Sequence, residues 1–258
     1  MRRFLNYGLI ANLVLAAVAV CVGTQNLLAD TEPTTVKSEK KEVKPEEKIN
    51  PALVQVNDVP GLPRVLLIGD SVSIQYTLQV RELLEGKANV HRPPLNCHSS
   101  RQVLEELEGY VGEKAWDVIH INCGGHDISH RKDGQYTPPP EGTINVPYDE
   151  YKSNLHAIVK RLKQTGAKLI WASTTPMSIS YLAKGHRREQ DLFAYNAAAA
   201  EIMNGAGIPI NDLYAKTKAD AETLLRDGVH FTKPGAKVLA KYVSDSIEKE
   251  LAAKNASK

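Results

Sequence analysis

Five short apolar runs, at 65–68, 89–91, 118–121, 169–172 and 208–210, alternate with segments of helical periodicity, and this alternation constrains the fold more than anything else in the chain. The first run, Val65-Leu66-Leu67-Ile68, has no polar break, as expected of a strand covered on both faces. The clearest helical stripe is Leu155, Ile158, Val159 and Leu162, closed by Gly166. A second carries Ala198, Ala199, Ile202 and Met203 and ends at Asn204-Gly205. The last helix presents Val238, Leu239, Tyr242, Val243, Ile247 and Leu251 on one broad face. Strands that alternate with helices in this way predict an α/β fold, a parallel sheet with helices on both faces.

In such sheets ligands bind beyond the carboxyl ends of the strands. Three segments follow an apolar run directly: Gly69-Asp70-Ser71, Asn96 to Ser100, and Gly124 to Asp127. They are predicted to share one edge of the sheet. Asp227-Gly228-Val229-His230 lies just ahead of the last helix, where its loop can fold back to that edge. Ser99 and Gln102 have capping-box spacing, which makes Ser99 a helix cap rather than a nucleophile.

A hydroxyl near neutral pH needs a base to take its proton, and the base needs a carboxylate to fix its tautomer. Ser71, His230 and Asp227 supply those three groups if they converge. The plainer readings are that Ser71 caps the helix after it, and that Asp227 caps the next helix beside a solvated His230. The run Gly69-Asp70-Ser71-Val72-Ser73 lacks the Gly-x-Ser-x-Gly elbow of the α/β-hydrolases, and no phosphate-binding glycine motif occurs.

Taken together, Gly69-Asp70-Ser71, Asn122-Cys123-Gly124-Gly125-His126-Asp127 and Asp227-Gly228-Val229-His230 resemble three blocks of the SGNH (GDSL-type) hydrolases, from about Leu62 to the final helix. The third block has His126 where the family usually has Asn. A bacterial subset with Gly-x-His-Asp is more similar still, sharing Trp116-Asp117-Val118-Ile119-His120 and Tyr195-Asn196. The resemblance implies a three-layer, flavodoxin-like fold. It also implies that Ser71 is the nucleophile, His230 the general base and Asp227 its orienting partner, with no cofactor. For the oxyanion and substrate it implies the Ser71 N–H, a second-block donor and a third-block donor. Pro94-Leu95-Asn96-Cys97-His98 fills the second-block region without the family's Gly, leaving Asn96 or the Cys97 N–H. Gly124 and His126 stand in the third.

The net charge of +2, with Lys and Glu interleaved, argues against a nucleic-acid partner. Arg2 and Arg3 precede an apolar stretch from Leu9 to Val22, and Leu27-Leu28-Ala29 is a cleavage-like site. Residues 1–29 therefore read as an export signal to the periplasm or medium. An uncleaved anchor tethering the protein to a membrane is the alternative, although about 14 apolar residues is short for a span. Residues 30–60, rich in Lys, Glu, Thr and Pro, read as a spacer too poor in apolar surface to fold. Residues 61–254 are the expected catalytic domain. Arg131 to Pro147, with Pro138-Pro139-Pro140, reads as a long irregular insertion forming a lid or a substrate wall. Either Arg187 or Arg188 could hold an anionic or sugar-like group, solvated surface cations being the plainer reading. His126 and His130 have metal-like i, i+4 spacing, but no third ligand follows at a recognisable distance. Cys97 and Cys123 follow strands that flank the first, so their separation predicts two free thiols. The expected activity is hydrolysis of small O-acyl esters, acetyl on carbohydrate foremost. The alternatives are O-acyl transfer on the same fold, and an inert binding protein.

Overall fold

The computed structural model describes residues 49–256. In chain order the elements are β1 (Arg64–Ile68), α1 (Ser71–Leu83), β2 (Asn89–His91), α2 (Ser100–Glu105), α3 (Leu107–Val111) and β3 (Val118–Ile121). Then come β4 (His130–Lys132), β5 (Gln135–Tyr136), β6 (Thr143–Ile144), α4 (Tyr148–Lys163), β7 (Lys168–Ala172) and α5 (Ile179–Leu182). The chain continues with α6 (Glu189–Gly205), β8 (Ile210–Asn211), α7 (Leu213–Thr217), α8 (Ala221–Leu224) and α9 (Lys233–Ala256).

The main sheet runs β2-β1-β3-β7-β8 with every pairing parallel. Because strand side chains alternate between faces, the sheet divides its own core. Leu66, Ile68, Ile119, Ile121 and Trp171 pack with Val103, Leu107, Leu155, Ile158 and Ala199 on one side. Val65, Leu67, Val118, Ile170 and Ala172 pack with Tyr76, Val80, Leu239 and Val243 on the other. The result is the expected three-layer α/β fold, with α1 and α9 together on the second face. The stripe closed by Gly166 is α4, and Ser99 and Gln102 form their capping box ahead of α2.

Three expectations need correction. The last strand pairs only at Ile210 and Asn211, opposite Trp171 and Ala172, rather than over 208–210. Pro209 has no N–H to give a ladder, and Ile208 is buried in the core. Residues 131–147 are irregular only in part, since β5-β4-β6 form a small antiparallel sheet there and the rest is loop. The spacer also ends earlier than Pro60. Ala52 is buried, Val59 exchanges backbone hydrogen bonds with the Asn89 side chain (2.8 and 3.0 Å), and Asp58 reaches Arg64 and His91. Polar side chains of the domain dock this segment where apolar residues are scarce. The export or anchor segment and residues 30–48 lie outside the described residues. Among the described residues no helix is long and apolar enough to cross a membrane. Cys97 and Cys123 are free and buried.

His120, in the central strand β3, is fully buried, with its Nε2 3.3 Å from Asn211 Nδ2. Burial pushes its ring down to about 4. The unfolded chain takes up a proton near 6.5, which the folded chain refuses until about 4, so stability falls as pH drops through that window. The full contribution is present above 6.5, and its slope reaches about 1.4 kcal/mol per pH unit. His120→Val should lower the loss of urea midpoint between pH 7 and pH 5. Equal losses in both proteins would refute this reading.

Candidate active site

Ser71 is placed by the turn from β1 into α1. A Cβ on Gly69 would sit 2.9 Å from both Cβ and Oγ of Ser73, so only glycine lets the chain turn here. Asp70, not Ser71, is the N-cap, its carboxylate accepting the Val72 N–H at 2.9 Å. Ser71 is thus the first helical residue, whose N–H has no intrahelical acceptor and whose hydroxyl is released from capping. Behind the turn lies Arg92, only 1% exposed. It donates to Ser73 Oγ, Thr77 Oγ1 and the carbonyls of Gly69, Pro93 and Leu95 at 3.0–3.2 Å. It ties the start of α1 to the segment after β2.

The Asp227–His230 loop is a closed local unit. Leu225 and Phe231 bridge across its base, and the Arg226 N–H donates to the His230 carbonyl at 2.7 Å. Asp227 Oδ1 accepts the N–H groups of His230 (2.8 Å) and Val229 (3.2 Å), and Oδ2 lies 2.9 Å from His230 Nδ1. A carboxylate only accepts, so Nδ1 carries the proton and Nε2 is left as an acceptor. Nε2 lies 2.8 Å from Ser71 Oγ, across 159 residues of chain. Partial burial works against the ionised Asp227. The His230 N–H and ring, with the Val229 N–H, outweigh it and hold the carboxyl well below the usual range. The three side chains therefore converge into a proton relay, and neither capping alternative describes them.

The third block follows β3. A Cβ on Gly124, at φ 147°, would lie 2.4 Å from Thr174 Oγ1. Gly124 is therefore spent on a close approach to Thr174 and does not line the space over Ser71; its neighbour Gly125 does. Asp127 is fully buried and accepts from the N–H and hydroxyl of Ser100, fastening the block to α2. The His126 ring lines the cavity with Ser71 and stands edge-on to His98 at 4.9 Å. Burial, helped by Arg187, His98 and Arg131 and opposed by Asp70, pushes it down to about 4, so the ring is neutral at pH 7 with one N–H to give.

The second-block candidates do not reach this cavity. The Cys97 N–H is engaged by the Gly69 carbonyl at 3.3 Å and its thiol is buried. Asn96 Oδ1 accepts the His98 N–H at 3.0 Å, and Asn96 does not line the space over Ser71. The cavity holds about 280 Å³. Its walls include Tyr136 of the small sheet, Tyr181 of α5, Lys184 and Arg187. None of these carries a motif; Arg187 is one of the two arginines expected either to hold an anionic group or to be a surface cation, and Tyr136 falls in the segment expected to form a lid or wall. His126 and His130 part: His130 is buried in β4 and its N–H donates to the His186 carbonyl. Among the described residues no three His, Cys, Asp or Glu side chains gather as a metal ion would need.

Gln75 has a positioning role that its spacing could have disclosed. Four residues after Ser71, it lies on the same face of α1. Its Oε1 accepts the Phe231 N–H at 2.9 Å and its Nε2 donates to the Phe231 carbonyl at 3.3 Å. One amide thus fixes the residue beside His230 to the helix that bears Ser71. Gln75→Leu should slow fluorophosphonate labelling of Ser71 by about tenfold, as loosened catalytic geometry does, with the far-UV spectrum unchanged. Labelling at the original rate would show that the clamp does not matter.

Residues 67–238, more than half of the chain, match the GDSL-like lipase/acylhydrolase family. No curated protein sequence matches the chain. Among solved structures, the lipase/acylhydrolase of Enterococcus faecalis superposes with a TM-score of 0.60 at 18% identity, over 73% of this chain and 96% of that one. A GDSL-like lipase of Bacteroides thetaiotaomicron gives 0.58 at 20% identity, over 78% and 94%. An acetyl xylan esterase gives 0.59 at 17% identity, over 71% and 99%. At such identities these structures speak for the fold, while the family match speaks for descent. The chain belongs to the GDSL-like lipase/acylhydrolase family, the SGNH hydrolases, and is a serine hydrolase that acts on ester bonds.

Proposed function

We propose that the protein is an exported esterase that removes small O-acyl groups, acetyl foremost, from a carbohydrate. The observation that carries the reaction is the relay from Ser71 Oγ through the His230 ring to Asp227, at 2.8 and 2.9 Å. Ser71 Oγ attacks the ester carbonyl carbon while His230 Nε2 takes its proton. The tetrahedral adduct collapses, and the alcohol leaves with the proton that His230 returns. Water, deprotonated by the same ring, then attacks the acyl-serine and releases the carboxylic acid. Asp227 holds Nδ1–H throughout and stabilises the imidazolium.

Developing charge on the carbonyl oxygen meets the Ser71 N–H at the start of α1 and the neutral His126 ring in place of the family's Asn. The small acyl group is supported by a cavity of about 280 Å³, and acetyl on a sugar by the acetyl xylan esterase among the structural relatives. Export rests on Arg2, Arg3 and the apolar stretch from Leu9 to Val22.

Ser71→Ala should abolish release of 4-nitrophenol from 4-nitrophenyl acetate, a loss of several orders of magnitude, and abolish fluorophosphonate labelling. Undiminished turnover in cleanly purified Ser71→Ala would overturn the assignment. Acetate release from acetylated xylan and from acetylated pectin, set against 4-nitrophenol release from 4-nitrophenyl butyrate, measures the substrate part, and release from the butyrate alone would overturn it.

His126 provides a separate test of the oxyanion site. His126→Asn should keep much of the activity, whereas His126→Ala should lose on the order of a hundredfold in kcat, as other oxyanion donors do. If His126 only packs, His126→Ala would lower the thermal midpoint and leave turnover per folded molecule unchanged.

A further inference from the structure

Arg187 is 4% exposed, yet among the described residues no carboxylate lies within ion-pair distance of it. Burying a cation without a counter-ion is costly unless its donors are satisfied. Three of its five N–H groups are: Nε donates to the Gly125 carbonyl at 2.7 Å, Nη1 to the Tyr181 hydroxyl and Nη2 to the Tyr136 hydroxyl at 3.2 Å. One N–H remains on each terminal nitrogen. The rings of Tyr136 and Tyr181 flank the guanidinium with centroids at 4.9 and 5.6 Å, which fixes its plane.

The group lines the same cavity as Ser71 and His230, with Lys184 beside it. Two carboxylates also line that space, and both are engaged elsewhere. Asp70 caps α1 and Asp227 holds His230. Arg131 also stacks on the Tyr136 ring, at 4.3 Å, so a third cation borders the wall after Arg187 and Lys184. Arg101, across the neighbouring hollow, is neutralised by a two-pronged pair with Glu150. The contrast is chemical: Arg101 has its anion, whereas Arg187 keeps two donors and lacks one.

We propose that the ester substrate carries a carboxylate that Arg187 and Lys184 bind, as an O-acylated acidic sugar would. This rests on Ser71 being the nucleophile of an esterase. A guanidinium with two spare donors suits the two oxygens of a carboxylate, and the exposed Lys184 ammonium, 5.0 Å from the centre of the Tyr181 ring, adds charge as a point donor. The carboxylate replaces the counter-ion that the fold omits, so binding relieves the burial of Arg187. A neutral ester of the same shape leaves those donors unpaired.

The test compares 4-acetoxybenzoate with its methyl ester, which has the same acetyl group but no charge. Calorimetric titration of the Ser71→Ala protein reads binding without turnover, and kcat/KM of the unaltered protein reads hydrolysis. The anion should bind about tenfold tighter than the methyl ester, with a similar ratio in kcat/KM, and the ratio should shrink as salt is raised. Placing Arg187→Gln in the Ser71→Ala protein should bring the ratio near one, and Lys184→Gln should lower it by a smaller factor. Lys184 is exposed, so the latter variant remains informative if the loss of buried Arg187 prevents folding. Equal binding of the two esters, or tighter binding of the methyl ester, overturns the proposal. Tighter binding of the anion without hydrolysis of either ester would uphold the carboxylate site and overturn the esterase reading instead.

Discussion

All five strands of the main sheet point the same way, so every strand delivers its following segment to one edge. The order β2-β1-β3 adds a direction: the chain steps from β1 to β2 on one side, then returns across β1 to β3 on the other. A crevice opens where the order reverses, between the ends of β1 and β3. Ser71 leaves the first of these strands and Gly124-Gly125-His126 leaves the second. Neighbouring strands are about 4.8 Å apart, so Ser71 and the third block share a wall through topology alone. The remaining partner, His230, needs no strand end. The loop between α8 and α9 reaches the crevice because α9 packs beside α1 on one face of the sheet.

Two buried arginines at this edge show how hydrogen-bond accounting separates scaffold from site. Arg92 gives all its donors to carbonyls and hydroxyls, and its job is finished once the β1–α1 turn and the second-block segment are joined. Arg187 also holds a carbonyl of the third block and lines the cavity, but two of its five N–H groups have no protein partner. Both are charges removed from water, and the protein solves each with neutral acceptors rather than carboxylates. A carboxylate beside Arg187 would silence its charge toward anything entering the cavity.

The sequence disclosed most where one residue pattern has one physical outcome. Near-continuous apolar runs with helical stripes between them permit little besides a covered parallel sheet, and Leu155, Ile158, Val159 and Leu162 are buried in α4 as their spacing requires. The relay was legible because Ser71 and the Asp227–His230 turn each combine a reactive group with a local geometry. Arg187 was legible only as one of two arginines that could hold an anionic group or sit at the surface, and Tyr136 only as part of a lid or wall segment. Tyr181 was not legible, since the importance of all three arises from the burial of Arg187 and from mutual contact, which no local pattern encodes. The second block failed for a related reason. Asn96 and Cys97 have suitable chemistry, but a backbone bond to Gly69 engages the Cys97 N–H, and neither residue lines the space over Ser71. Residues 49–60 misled through composition, because an apolar-poor segment can still be fastened by the side chains of Asn89 and Arg81.

The division of the relay between two kinds of support follows from where each charge sits. Ser71 is fixed from behind by buried structure, through the Gly69 turn and the bonds of Arg92. Asp227 is half exposed, with a side chain 46% accessible, so its ionised form keeps part of its hydration. Two backbone N–H groups and the imidazole supply the rest, and no buried counter-ion is needed. The carboxylate and ring are three residues apart, so their own pairing closes a very short loop at little entropic cost. Register against Ser71 is the costly part, because it joins residues 71 and 230 across the whole fold. The side-chain bond between Ser71 and His230 is too weak alone to hold that register, a net contribution of about 1 kcal/mol being usual. The Gln75 amide adds two further hydrogen bonds between the same helix and loop, and Gly228 adds a third anchor, its carbonyl accepting the Ser178 N–H at 2.9 Å. The catalytic loop is therefore a local turn made precise by a few long-range bonds.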